Sequence, residues 1–275
     1  MKMTIGSRKR AAVIFAVTAA FIAIIMIAGV LLKDAAMVTD FSRKNIAPCG
    51  DFLFGTDWMG RDMLSRTLTG LSLSIRLGIV TAAASAVFAL VLGTLSALGG
   101  KKVDSVITWI IDLVMGVPHI LLLILISYAC GKGFVGVSVG IILSHWMSLA
   151  RVIRGEVLQL SESGYVKVAS KLGMSKVKIA YKHMLPHVLP QFIVGLVLLF
   201  PHAILHEASI TFLGFGLSAE QPAIGIILSE SMRYLATGQW WIALFPGILL
   251  VVTVILFDLA GKSLRKLLDP ASTHE

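Results

Sequence analysis

Residues 161–186, SESGYVKVASKLGMSKVKIAYKHMLP, form the one polar and strongly basic interval between two long apolar spans, and the rest of the chain is laid out around it. Tyr165, Val168, Ala169 and Leu172 fall at i, i+3, i+4 and i+7, the apolar stripe of a short helix, with Lys167 and Lys171 off the stripe. Gly173 breaks it. Ser175 is placed as an N-cap, and Val177, Tyr181 and Met184 repeat at spacings of four and three, which predicts a second short amphipathic helix running to Leu185 and Pro186. Two small basic helices meeting at a glycine suit either a protein that pushes on them or the anionic lipid of an inner leaflet.

On either side of this interval the chain is apolar. Its 275 residues are 57% hydrophobic and 14% charged, with a mean hydropathy of +0.89, which places it among integral membrane proteins as a single membrane domain, residues 1–275. Six spans are predicted, at residues 11–32, 77–98, 106–130, 134–150, 189–205 and 240–260. The first is too long for a secretory signal and reads as an uncleaved helix behind Lys2, Arg8, Lys9 and Arg10. The second is rich in Gly, Ala, Ser and Thr, as close helix packing in a bundle requires. Residues 206–238 are less apolar and are placed outside as a re-entrant element, ahead of the interfacial pair Trp240 and Trp241.

Charge fixes the orientation. With both ends in the cytoplasm, the inside segments hold sixteen of the 24 Lys and Arg residues, seven of them between Arg151 and His187. The net charge of +9 is therefore a topology signal, and nucleic acid is not an expected partner. Cys49 and Cys130 have no metal-ligand spacing; both fall on the outer side, so a bridge between them stays geometrically open.

The chain carries no nucleotide site of its own. Gly261-Lys262-Ser263 ends like a phosphate loop, but Leu256 occupies the first glycine position. Ionisable groups inside the spans are costly, so they mark a pathway or a packed interior. His119, His145, His202, His206 and Glu207 are the candidate pathway residues. His202 and His206 share a helical face at a spacing that offers half a site for nickel, copper or zinc. The same imidazoles could equally be packing or hydrogen-bonded residues without a metal. A zinc-protease helix fails because Ile210 stands where the second histidine is needed. Asp112 is expected to be a partnered packing or pore residue.

Three motifs, in order, carry a family resemblance. Gly55-Thr56-Asp57, Gly60-Arg61-Asp62 and Leu64-Ser65-Arg66 resemble the signature of the dipeptide, oligopeptide and nickel class of ABC importer permeases; Asp57, Arg61, Asp62 and Arg66 can cross-pair there. Gly173, nine residues, then His183, Met184, Leu185 and Pro186 resemble the cytoplasmic loop pattern of such permeases, with Lys167, Val168 and Ala169 where the pattern has Glu-Ala-Ala and His183 where it has isoleucine. HEASITFLGFG, residues 206–216, resembles the segment after the fifth span, and His206 before Glu207, with Ser144-His145-Trp146, is more similar to the nickel branch than to the peptide branch.

The resemblance implies an all-α permease of the type I importer fold, with six spans and both termini inside. It also implies a second homologous permease, two ATPase subunits holding ATP and Mg, and an extracytoplasmic binding protein, with no cofactor on this chain and no bond chemistry. Tyr165, Val168, Ala169, Leu172, Gly173, Leu185 and Pro186 would then couple to the ATPases. Nickel or a related metal is the expected cargo, with peptides as the alternative. An ion-gradient transporter would need paired carboxylates or broken helices in two related halves, which the isolated Asp112 and the lack of a repeat oppose.

Overall fold

The computed structural model describes residues 5–268; Lys2 of the basic N-terminus and residues 269–275 of the polar tail lie outside the described residues. Ten α-helices are present among the described residues: α1 Ile5–Leu31, α2 Met63–Leu98, α3 Lys101–Met115, α4 His119–Ala129, α5 Gly133–Ser161, α6 Gly164–Lys171, α7 Lys176–Ile179, α8 Leu185–Phe212, α9 Ile224–Leu235 and α10 Trp241–Leu268. The only β pairing among them is an isolated bridge between Thr56 and Asp62.

Five helices are long and apolar enough to cross a membrane, and a sixth crossing is made if α3 and α4 count as one bent span. Residues 106–130, one predicted span with Asp112, Pro118 and His119 interrupting it, are therefore divided between two helices. The chain turns by 100° between α3 and α4. Pro118 is the cause: its ring excludes the preceding residue from helical geometry and its nitrogen cannot donate, so α3 closes on Gly116 and α4 restarts with Pro118 at its N-cap.

The other spans are longer than predicted. At 1.5 Å per residue the 36 residues of α2 run about 54 Å, well beyond a hydrocarbon core of about 30 Å, so its first turns stand outside the membrane. Similarly, α5 runs on to Ser161, and α8 continues to Phe212 through Pro190 and Pro201. Pro186 does not stop the second loop helix; it sits at the start of α8, behind a widened π turn at Ala180–Met184.

Packing centres on α2, which touches α1, α3, α5, α8, α9 and α10. Its small residues allow this: a Cβ on Gly93 would lie 2.6 Å from the Ala150 carbonyl oxygen of α5, and one on Gly78 would lie 2.8 Å from Ile204 of α8. At the inner end Ala89, Ile111, Ile153, Val157 and Val188 bury together with Val166, Ala169 and Ile179 of the loop helices. Arg154 of α5 grips Asp104 of α3 through Nε and Nη2, both 2.6 Å, and Ser96 of α2 donates to the same carboxylate. The outward sides of α1 and α10 keep Ile24, Ile27, Val251 and Ile255 exposed, as lipid-facing surfaces do.

Candidate transport pathway and coupling surface

The glycine-aspartate motif folds into a clamp on the outer end of α2. Thr56 Oγ1 donates to the Arg43 carbonyl (2.5 Å) and accepts from the Ile46 amide (2.8 Å), which pins the loop. The fully buried Asp57 accepts from the Met59 and Arg61 amides, from Arg61 Nε (2.7 Å) and from Arg66 Nη1 (2.6 Å). Asp62 departs from the expected cross-pairing. Among the described residues it pairs with neither arginine and instead caps α2, accepting from the Ser65 amide (2.8 Å) and Oγ (2.5 Å).

The second carboxylate of the network is Glu230 of α9, 2.9 Å from Arg66 Nη2. Trp58 lies under both guanidiniums and stacks on Tyr234 of α9 at 4.7 Å. Sequence reasoning missed Glu230, Trp58 and Tyr234. No charge signal in the sequence pointed to Glu230: Asp57 and Asp62 match Arg61 and Arg66 in number, and only the capping role of Asp62 leaves Arg66 to a second carboxylate from α9. Trp58, Glu230 and Tyr234 also line a cavity at this outer end.

In the loop of residues 161–186 the predicted stripe splits. Tyr165, Val168 and Leu172 are exposed, Leu172 at 81%, whereas Ala169 turns inward at 7% together with Val166. The same holds in the second helix, where Val177 and Tyr181 are exposed and Met184 is buried with Ile179. A stripe read by spacing alone assigns all apolar residues to one face; here each short helix is apolar on both, because one face seals the α5 and α8 ends and the other is bare. Gly173 (φ +80°) turns the chain between them. Leu185 is half-buried and Pro186 exposed at the start of α8. Tyr165 also lies near the rings of His183 and His187.

Deeper in the molecule, the bend between α3 and α4 opens a cavity of about 330 Å³ against α5 and α8. His119, His145, His202 and His206 all line it, with Met115 and Met147. The rings of His119, His145 and His206 stand in mutual contact, with centroids 4.4 to 5.1 Å apart, and one ring nitrogen from each lies within 4.8 Å of the others. His206 is grouped with His119 and His145 from other helices, while His202, its partner in the expected pair, lines the same cavity as an exposed residue. Glu207 points elsewhere. It is fully buried between α2 and α8, where Oε1 accepts from Thr211 Oγ1 (2.9 Å), which in turn accepts from the Leu217 amide.

Asp112 is exposed and paired with Arg151 across α3 and α5, a contact worth little at a wet surface. Cys49 and Cys130 are free and exposed, so the bridge left open by topology is not formed.

The model of the binding-protein-dependent transport system inner membrane component family matches residues 89–274. The chain belongs to that family. It is the permease subunit of an ABC importer and an inner-membrane protein. Curated relatives include the dipeptide transport system permease DppC of Bacillus subtilis, 30% identical over 91% of this chain and 78% of the relative. The oligopeptide permease OppC of the same organism is 31% identical over 84% and 77%. A Brucella suis putative peptide transport permease is 35% identical over 83% and 77%.

Among solved structures, the inward-facing MetNI methionine ABC transporter superposes with a TM-score of 0.63 at 18% identity, covering 75% of this permease and 98% of that chain. That likeness establishes the type I importer fold. The nickel branch is not what these relatives name.

Proposed function

We propose that this permease passes di- or oligopeptide-class cargo inward, as one half of a pathway completed by a second homologous permease. An extracytoplasmic binding protein delivers the cargo, and two ATPase subunits carrying ATP and Mg drive the cycle from the cytoplasm. The observation that carries the cargo class is the identity of 30–35% to permeases named for dipeptides, oligopeptides and peptides, over more than four-fifths of this chain.

The supply of energy from separate subunits is supported by the C-terminal end of the chain. Gly261-Lys262-Ser263 lies inside α10, where a helical backbone cannot cradle phosphate. The exposed residues Tyr165, Val168, Leu172, Val177 and Tyr181 supply an apolar surface at the cytoplasmic end, and their helices are sealed to α5 and α8 by Val166, Ala169, Ile179 and Met184. Closure of the ATPases would therefore move α6 and α7 together with the inner ends of the spans, because the buried face ties them into one packed unit.

A second reading, nickel or a related transition metal as cargo, is favoured by one observation, the three-histidine cluster in the cavity wall. Uptake of a labelled dipeptide and of labelled nickel, in cells expressing this chain with its neighbouring transport genes, separates the two. Dipeptide uptake alone supports the first reading, and nickel uptake alone overturns it.

A further inference from the structure

Three imidazoles from three helices meet in the cavity at the α3–α4 bend, and their surroundings are those of a ligand site. His145, on α5, is only 8% exposed. Its Nδ1 lies 3.0 Å from the Ile141 carbonyl oxygen one turn back and 3.0 Å from Ser144 Oγ. A carbonyl oxygen can only accept, so Nδ1 carries the proton and Nε2 carries the lone pair. That Nε2 is buried and, among the described residues, has no hydrogen-bond partner. Packing alone gives no reason to bury a basic nitrogen without a donor. A metal ion supplies what is missing, and a backbone carbonyl holding the other ring nitrogen is the usual way a histidine ligand is oriented.

We infer that His119, His145 and His206 form a transition-metal site in the permease pathway, one that engages cargo carrying a divalent ion of the nickel, copper or zinc type. Imidazole nitrogen selects these ions over magnesium and calcium, and the thioethers of Met115 and Met147 in the same wall offer no ligand to hard cations. Three protein ligands leave one or more coordination positions open, so the ion can keep amine or carboxylate ligands of a peptide-like chelator while it touches the histidines. Metal-bearing peptide cargo thus fits both the cluster and the peptide-permease relatives.

The site is loose. Nitrogens spread over 4.8 Å must approach to about 3.4 Å around an ion with metal–nitrogen bonds of about 2.0–2.1 Å. His119 opens α4 directly after the bend. A loose triad binds weakly enough to release, as conduction demands.

This inference rests on the reading of the chain as an importer permease, and its test separates the two. The assembled complex with its partner permease and ATPases is reconstituted in lipid nanodiscs. It is titrated with Ni2+, Zn2+ and Cu2+, each alone and with glycylhistidine as chelator, and the bound ion is examined by X-ray absorption. The expected result is one ion per copy of this chain with three imidazole nitrogens in its shell. Each of His119→Asn, His145→Asn and His206→Asn should weaken binding by about tenfold or more, while His187→Asn, exposed at the loop end of α8 and outside the cavity, leaves it within about twofold. His119→Asn, at the cavity edge of α4, keeps the test valid if the buried His145 variant fails to assemble. Absence of binding up to about 1 mM, or binding unchanged in all three variants, overturns the site. Dipeptide transport by a complex that binds no metal would overturn it while leaving the importer reading intact. An assembled complex that binds the ion yet moves neither peptide nor metal would instead overturn the importer reading.

Discussion

Arg66, on the second turn of α2, places Nη2 2.9 Å from Glu230 Oε2 and Nη1 2.6 Å from Asp57 Oδ2, so one guanidinium ties the outer loop, α2 and α9. Arg66 is 2% exposed and Asp57 is fully buried, and with Arg61 the cluster balances two cations against two carboxylates. Removing one member of a buried pair strands the other in low dielectric, at a cost of about 3–5 kcal/mol. Asp57→Ala should therefore lower the unfolding temperature of the solubilised complex sharply. Asp62→Ala removes only a helix cap and should cost about 1 kcal/mol. Equal losses in the two variants, measured by thermal unfolding, would count against the clamp.

Gly60 and Gly173 both sit at positive φ, +74° and +80°, but in different surroundings. A Cβ on Gly60 would come within 1.8 Å of the Asp40 carbonyl oxygen, a contact no rotamer change relieves. A Cβ on Gly173 would have nothing within 4 Å among the described residues. Gly60→Ala is expected to abolish folding of the outer loop, read as loss of assembled protein. Gly173→Ala should cost only the left-handed penalty of about 1–2 kcal/mol, and the complex should still assemble. Normal assembly of the Gly60 variant would refute the close approach.

The sequence made some of this legible because composition and spacing are local properties. Apolar run length located five of the crossings, and the basic residues between Arg151 and His187 marked the cytoplasmic side. Span ends were not legible, since α2 and α5 continue as helices beyond the apolar runs, where polar residues such as Ser65, Thr67 and Glu156 are helical without being apolar. Pro118 signalled a break but not its 100° angle, which depends on where α4 finds packing against α5 and α8. The histidine grouping escaped for a related reason. Spacing pairs residues on one helix, such as His202 and His206, while the triad joins α4, α5 and α8, a relation that only the bend creates. Likewise the loop stripe looked like one face, when Val166 and Ala169 seal the bundle and Val168 and Leu172 stay bare.

That division of the loop gives a contrast between coupling and folding. Leu172→Asp or Tyr181→Asp places a charge on an exposed surface, 81% and 75% accessible in this chain, and should leave the permease inserted and its two halves assembled. If the ATPase subunits dock there, their co-purification should fall by about tenfold or more, since apolar anchors dominate interface energetics. Val166→Asp instead buries an unpaired carboxylate beside α5 and should reduce the yield of folded permease. Pull-down of the ATPases from membranes, normalised to permease content, distinguishes the two effects. Unchanged capture in both surface variants would show that the partner docks elsewhere.

Two glycines on neighbouring helices should respond to the same substitution with opposite sign. Gly93 of α2 faces the α5 backbone, where a Cβ would sit 2.6 Å from the Ala150 carbonyl oxygen and 3.1 Å from Ile153 Cβ. Both are main-chain or stem atoms of a packed helix, so Gly93→Ala must push α2 and α5 apart along the most extensive contact in the bundle. Overpacking of this kind costs about 1–3 kcal/mol. Gly155, inside α5 and near its cytoplasmic end, has nothing within 4 Å of the added Cβ among the described residues. Gly155→Ala adds helix propensity without a clash and should stabilise by about 0.5–1 kcal/mol. Thermal unfolding of the two single variants, in the same detergent, reads the difference directly. A loss at Gly155 comparable to that at Gly93 would mean that a partner subunit, and not open surface, lies against that turn of α5.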